Sequence, residues 1–148
     1  MGRCERAVSS AAILAVAILA VGASAASAVG ASAVLRAPRT AGVGQAVSVR
    51  ATGLIAGRYA LTLVSDAHPV RGASCVARLS ATRATSRGSV TLHGTIPREL
   101  TCYQGSAISL GKVATRAGGY HLVVAEPTAP AGFDARGSYA RSPLQITG

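Results

Sequence analysis

Tryptophan and asparagine do not occur in the 148 residues, phenylalanine, methionine and lysine occur once each, and only five residues are acidic. One Phe and four Tyr supply no stacking platform for single-stranded nucleic acid, and the arginines lie singly along the chain, so nucleic acid is not expected as a partner. The scarcity of aromatics also means that the core must be aliphatic, drawn from Val47, Val49, Leu61, Leu63, Leu79, Val90, Leu92, Leu122 and Val124. Alanine makes up much of the 49% hydrophobic fraction and buries little apolar area per residue, so that core is thin.

Catalytic and metal-binding signatures are missing too. There is no C-x-x-C or H-x-x-x-H spacing, no G-x-S-x-G elbow, no Walker loop and no G-x-G-x-x-G opening a helix, so neither metal nor cofactor is expected. His68, His93 and His121 with Asp66, Asp134, Glu99 and Glu126 hold the inventory of a hydrolase, but no motif organises them. The expectation is of a protein that is not an enzyme and has no catalytic residues.

What the chain does have begins at its N-terminus. Met1 to Ser10 carries Arg3 and Arg6, Ala11 to Val21 is an unbroken apolar run, and small residues fill Gly22 to Ala33. This is the layout of a secretory signal peptide, with a charged start, an apolar centre and an A-x-A end. Cleavage after Ala25, Ala28 or Ala33 satisfies the small-residue rule; Ala28 leaves a short tail before the first expected strand. The expected division is therefore a signal peptide over 1–28 and one domain over 29–148. The alternative is an uncleaved N-terminal helix, since Ala11 to Leu35 lacks charge, although its strongly apolar part falls short of the ~20 residues a membrane span needs.

Cys4 precedes the apolar run and leaves with the signal peptide. Cys75 and Cys102 remain, an even pair in a chain bound for an oxidising compartment, and a disulfide between them is expected. The formal net charge is +10, and +9 once Arg3, Arg6 and Glu5 are removed. Fourteen arginines stand against one lysine, a skew that fits a GC-rich coding sequence as well as selection for charge.

Beyond residue 32 the apolar positions recur with period two. Strands are expected near 33–37, 46–52, 59–65, 75–81, 89–95, 100–104, 120–126 and 144–147, each bounded by Gly, Pro or Ser. With no helical periodicity between them, the fold class is all-β: an antiparallel two-sheet sandwich of seven or eight strands, each with one buried and one mostly wet face. The connections Ser106–Gly118 and Thr128–Ser142 are read as long loops, where a binding surface would sit.

Gly42-x-Gly44-Gln45-Ala46-Val47-x-Val49, Thr52-Gly53-Leu54 with Gly57-Arg58-Tyr59-Ala60-Leu61, and Gly119-Tyr120-His121-Leu122-Val123-Val124 resemble the strand signatures of secreted bacterial immunoglobulin-like and fibronectin-like modules. The resemblance implies an exported bacterial domain of the cell envelope. The chain departs from true immunoglobulin domains in lacking a core Trp and in cysteines only 27 positions apart, a spacing that suggests a disulfide at an edge or loop. A Gly-Leu turn before a Tyr strand is also similar to the neocarzinostatin-type sandwiches. That similarity implies a carrier of a small apolar ligand, with Ala77, Ala107, Gly111 and Gly118 leaving space for a cleft. The two Gly/Tyr strands, 61 residues apart, hint at an internal repeat.

The leading functional expectation is an exported, non-catalytic contact module. Its basic face, Arg36, Arg39, Arg50, Arg58, Arg78, Arg83 and Arg87, would attract anionic envelope polymers or a lipid surface. The Arg83–Gly88 stretch, rich in Arg and Ser, raises protease inhibition through an exposed loop as a further reading.

Overall fold

The computed structural model describes residues 33–86, 88–105, 108–126 and 140–148. The expected signal segment, its cleavage site at Ala28, and Arg87, Ala107 and Asp134 lie outside the described residues. Among the described residues no helix is long and apolar enough to cross a membrane. The described residues form eleven strands: β1 Val34–Arg36, β2 Thr40–Gly42, β3 Ala46–Thr52, β4 Gly57–Ser65, β5 Ser74–Arg78, β6 Arg83–Thr85, β7 Ser89–Thr95, β8 Glu99–Gln104, β9 Ile108–Ala114, β10 Gly118–Ala125 and β11 Ala140–Thr147. They form two sheets. The smaller runs β1-β3-β7; the larger runs β2-β11-β10-β4-β5-β8-β9, with β6 paired to the start of β4.

The all-β, two-sheet sandwich expected from sequence is present, with three corrections. Pairing is not antiparallel throughout, because β2 runs parallel to β11, Ala41 opposite Ile146. The expected first strand, 33–37, gives way to two strands in different sheets, and Pro38 lies between them. A residue without an amide proton cannot continue a ladder, so the chain leaves β1 there and joins the larger sheet as β2. Third, Ile108–Ala114, expected within a loop, is a full strand paired with β8.

Alternation explains where the core sits. In β3, Val47, Val49 and Ala51 point inward and are buried while Ser48 and Arg50 face solvent; in β7, Val90 and Leu92 do the same against Ser89, Thr91 and His93. Opposite them, Tyr59, Leu61 and Leu63 of β4, Leu122 and Val124 of β10, and Leu144 and Ile146 of β11 complete one core cluster. The expected wet face of β4 is not found: Ala60 and Thr62 are each only 3% exposed. As the central strand, β4 has Val123 and Ala125 of β10 on one flank and Arg78 of β5 on the other.

Two local devices hold the layers together. Cys75 and Cys102 are cross-strand partners on β5 and β8, fully buried and disulfide-bonded with Cα atoms 3.9 Å apart. The bond therefore sits inside the larger sheet, facing the core, and not at an edge or loop. The 27-residue separation covers the chain's excursion through β6 and β7, so the disulfide closes that excursion where it returns. On the way out, Leu79 passes over β7 at Gly94, where an added Cβ would lie 2.5 Å from the Leu79 Cβ and 2.7 Å from its carbonyl oxygen. Only glycine admits that crossing.

The two Gly/Tyr strands prove to be neighbours, β4 and β10, paired antiparallel. Each tyrosine hydroxyl donates to the backbone carbonyl four residues upstream, Tyr59 to Ile55 at 3.0 Å and Tyr120 to Arg116 at 2.9 Å. This is the tyrosine-corner device of immunoglobulin-type sandwiches, used here on both strands.

Candidate functional site

The strand registers decide where the charged side chains point, and they divide the expected basic face. Arg50 alternates with the buried Val49 and Ala51, and Arg36 is its direct cross-strand partner, so both project outward from the smaller sheet. Arg58 and Arg78 share the outward face of the larger sheet with Arg141, because Thr62 is opposite both Arg78 and Val123, and Val123 is opposite Arg141. Arg83 lies on β6, opposite Tyr59, and Arg39 sits in the β1–β2 turn. A single basic face is thus replaced by two opposed outward faces. Of the Arg83–Gly88 stretch, Arg83–Thr85 is strand and Gly88 accepts a backbone hydrogen bond from Leu54 at 2.9 Å.

The arginines share one property. Among the described residues two ion pairs form, Lys112 with Glu99 at 3.6 Å and His121 with Asp66, and neither contains an arginine. The arginines of the described residues are exposed and form no ion pair there.

The outward face of the smaller sheet is the most uniform of these surfaces. One row crosses its three strands as Arg36, Arg50 and Thr91; a second holds Ser48 beside His93, and a third Val34, Thr52 and Ser89. No carboxylate belongs to any of the three strands. Two like charges directly opposite on neighbouring strands oppose folding, so the Arg36–Arg50 pair is held against its own repulsion by the packing beneath it.

At one end of the sandwich the turns after β1, β4 and β9 gather further polar groups. Two open depressions, of 590 and 730 Å3, meet at Gly119 and Tyr120; the first is lined also by Ser65, Pro69 and Arg116, the second by Arg36, Arg39 and Asp66. Asp66 follows β4 and accepts a hydrogen bond from His121 Nδ1, while its own amide donates to the Gly119 carbonyl at 3.1 Å. The pairing brings together one histidine and one carboxylate of the sequence inventory. The others stay apart: His93 is on the smaller sheet, Glu99 is engaged with Lys112, and the His68 ring bonds the Ala73 carbonyl at 3.2 Å. Among the described residues no group of three or more metal-ligating side chains forms. Between the sheets lie Tyr59, Leu61, Leu63, Leu92, Leu122 and Leu144, each at most 1% exposed; of the residues expected to leave space for a cleft, Gly111 is on the edge strand β9 and Gly118 lines the first depression.

No protein-family model matches the chain, and no curated protein matches it. Among solved structures, a superoxide reductase (neelaredoxin) from Ignicoccus hospitalis is similar, with a TM-score of 0.41 and 10% identity over 79% of this chain and 81% of that one. That structure is an enzyme, against the expectation that this chain is not one, and at a TM-score of 0.41 it decides nothing about this chain's chemistry. A missing motif does not exclude catalysis when residues as distant as Asp66 and His121 are joined only by the fold. At that identity and score no activity is transferred from it.

Proposed function

We propose that the chain is an exported bacterial β-sandwich that works by surface contact with anionic polymers of the cell envelope. The observation that carries this reading is that Arg36 and Arg50 project from the outward face of one sheet and Arg58, Arg78 and Arg141 from that of the other, with no ion-pair partner among the described residues. Exposed ion pairs stabilise a fold little, so leaving the guanidiniums unpaired costs little and keeps each available to an external anion. The buried Cys75–Cys102 disulfide fits an oxidising compartment, and the apolar run Ala11–Val21 behind Arg3 and Arg6 supplies the route of export, with cleavage after Ala28.

The test is co-sedimentation with purified envelope material before and after its anionic polymers are stripped. The proposal expects binding to the intact material and loss of most of it on stripping. Equal binding to both preparations would mean that contact does not depend on the anions and would overturn the reading.

A further inference from the structure

Directly opposed like charges are an unusual feature of a sheet face, and the smaller sheet carries such a pair between its edge strand β1 and its middle strand β3. Arg36 and Arg50 are cross-strand neighbours, with Thr91 next in the row and Ser48, His93, Thr52 and Ser89 on either side. All but Thr52 are exposed, and Thr52 is half-buried. Cross-strand partners place their Cβ atoms about 5 Å apart, so two guanidinium groups can close on one anion from two sides. We infer that this row is a binding site for a phosphate monoester carried on a sugar of an envelope polysaccharide. The inference rests on the contact function proposed above and gives that contact an address and a ligand.

The choice of ligand follows from counting oxygens and charge. A carboxylate has two oxygens, which one guanidinium fork engages together, and one charge, which one guanidinium neutralises. A phosphate monoester brings three terminal oxygens and close to two charges near neutral pH, and so matches two guanidiniums and a hydroxyl. The flanking Ser48, Thr52 and Ser89 hydroxyls both donate and accept, the property needed beside the hydroxyls of a sugar ring. Binding also offsets the repulsion between Arg36 and Arg50, neither of which has an ion-pair partner among the described residues.

Mannose 6-phosphate and glucuronate are the probes, titrated at pH 7.5 and low salt into the isotope-labelled protein recovered from its host, with backbone amide shifts as the readout. The inference expects shifts centred on Arg36, Arg50 and Thr91 and a dissociation constant for the phosphosugar at least tenfold below that for glucuronate. Arg36→Gln and Arg50→Gln should each weaken phosphosugar binding at least tenfold, while Arg78→Gln, on the opposite face, changes it less than twofold. Equal affinity for the two probes, no binding, shifts centred elsewhere, or an equal loss with Arg78→Gln would each overturn it. The wild-type comparison decides even where a variant fails to fold. Salt-sensitive envelope binding that persists without phosphosugar binding removes this inference alone; loss of both removes the contact reading as well.

Discussion

Gly94 and the Arg36–Arg50 pair show how much one position can decide. At Gly94 any side chain meets the Leu79 backbone, and backbone cannot rotate away as a side chain can. Gly94→Ala should therefore cost about 2 kcal/mol of stability through overpacking, read as a lowered denaturant midpoint. Gly42→Ala, where the new Cβ has no neighbour closer than 3.8 Å, should change stability by less than about 0.5 kcal/mol. For the arginines the expected sign is reversed. Arg36→Gln removes a like-charge opposition and should stabilise the unliganded protein by roughly 0.5 kcal/mol at low salt, with the gain shrinking as salt screens the pair. A thermal melt at two ionic strengths checks both parts. Tyr120→Phe, which leaves the ring in place but takes the hydroxyl from the Arg116 backbone, should cost about 1 kcal/mol.

At the scale of elements, the disulfide links strands that the chain separates by a visit to the other sheet. Replacing both Cys75 and Cys102 by Ser should cost about 3 kcal/mol, because the unfolded chain regains the freedom of the closed loop; urea unfolding of the oxidised protein and the variant measures it. The edge strand β9 makes a different prediction. Ile108 and Leu110 are 61% and 43% exposed, and an exposed apolar edge invites pairing with another chain. Leu110→Lys should reduce aggregation on concentration while leaving the unfolding midpoint nearly unchanged, measured by light scattering and denaturation together. These same elements show what was legible in the sequence. Strands 46–52 and 89–95 agree with β3 and β7 residue for residue, since one buried and one wet face write themselves as alternation. β9 is exposed along nearly its whole length, so burial imposes no pattern on it, and β2 and β6 are three residues each, too short for a period to show. The long-range contacts had no local signal at all. Arg36 meets Arg50, and Asp66 meets His121 across 55 positions, only because particular strands pair in a particular register. A basic face assumed from composition divided in two for the same reason: alternation fixes the side of a sheet, and the layer in which the strand lies fixes the direction of that side.

For the whole molecule, a thin aliphatic core closed by one disulfide supports a shell in which positive charge greatly outnumbers negative. Such a shell works against compactness through self-repulsion and favours any surface of opposite sign. Contact with the envelope through this excess charge is tested by the salt dependence of binding to purified envelope polymer between about 20 and 500 mM, where the screening length contracts from roughly 20 Å to a few ångströms. The affinity should fall steeply and continuously across that range, with a shallower fall for the Arg36→Gln/Arg50→Gln double variant. An affinity that does not change with salt would contradict it, since contacts made by exposed guanidinium groups cannot survive screening unchanged.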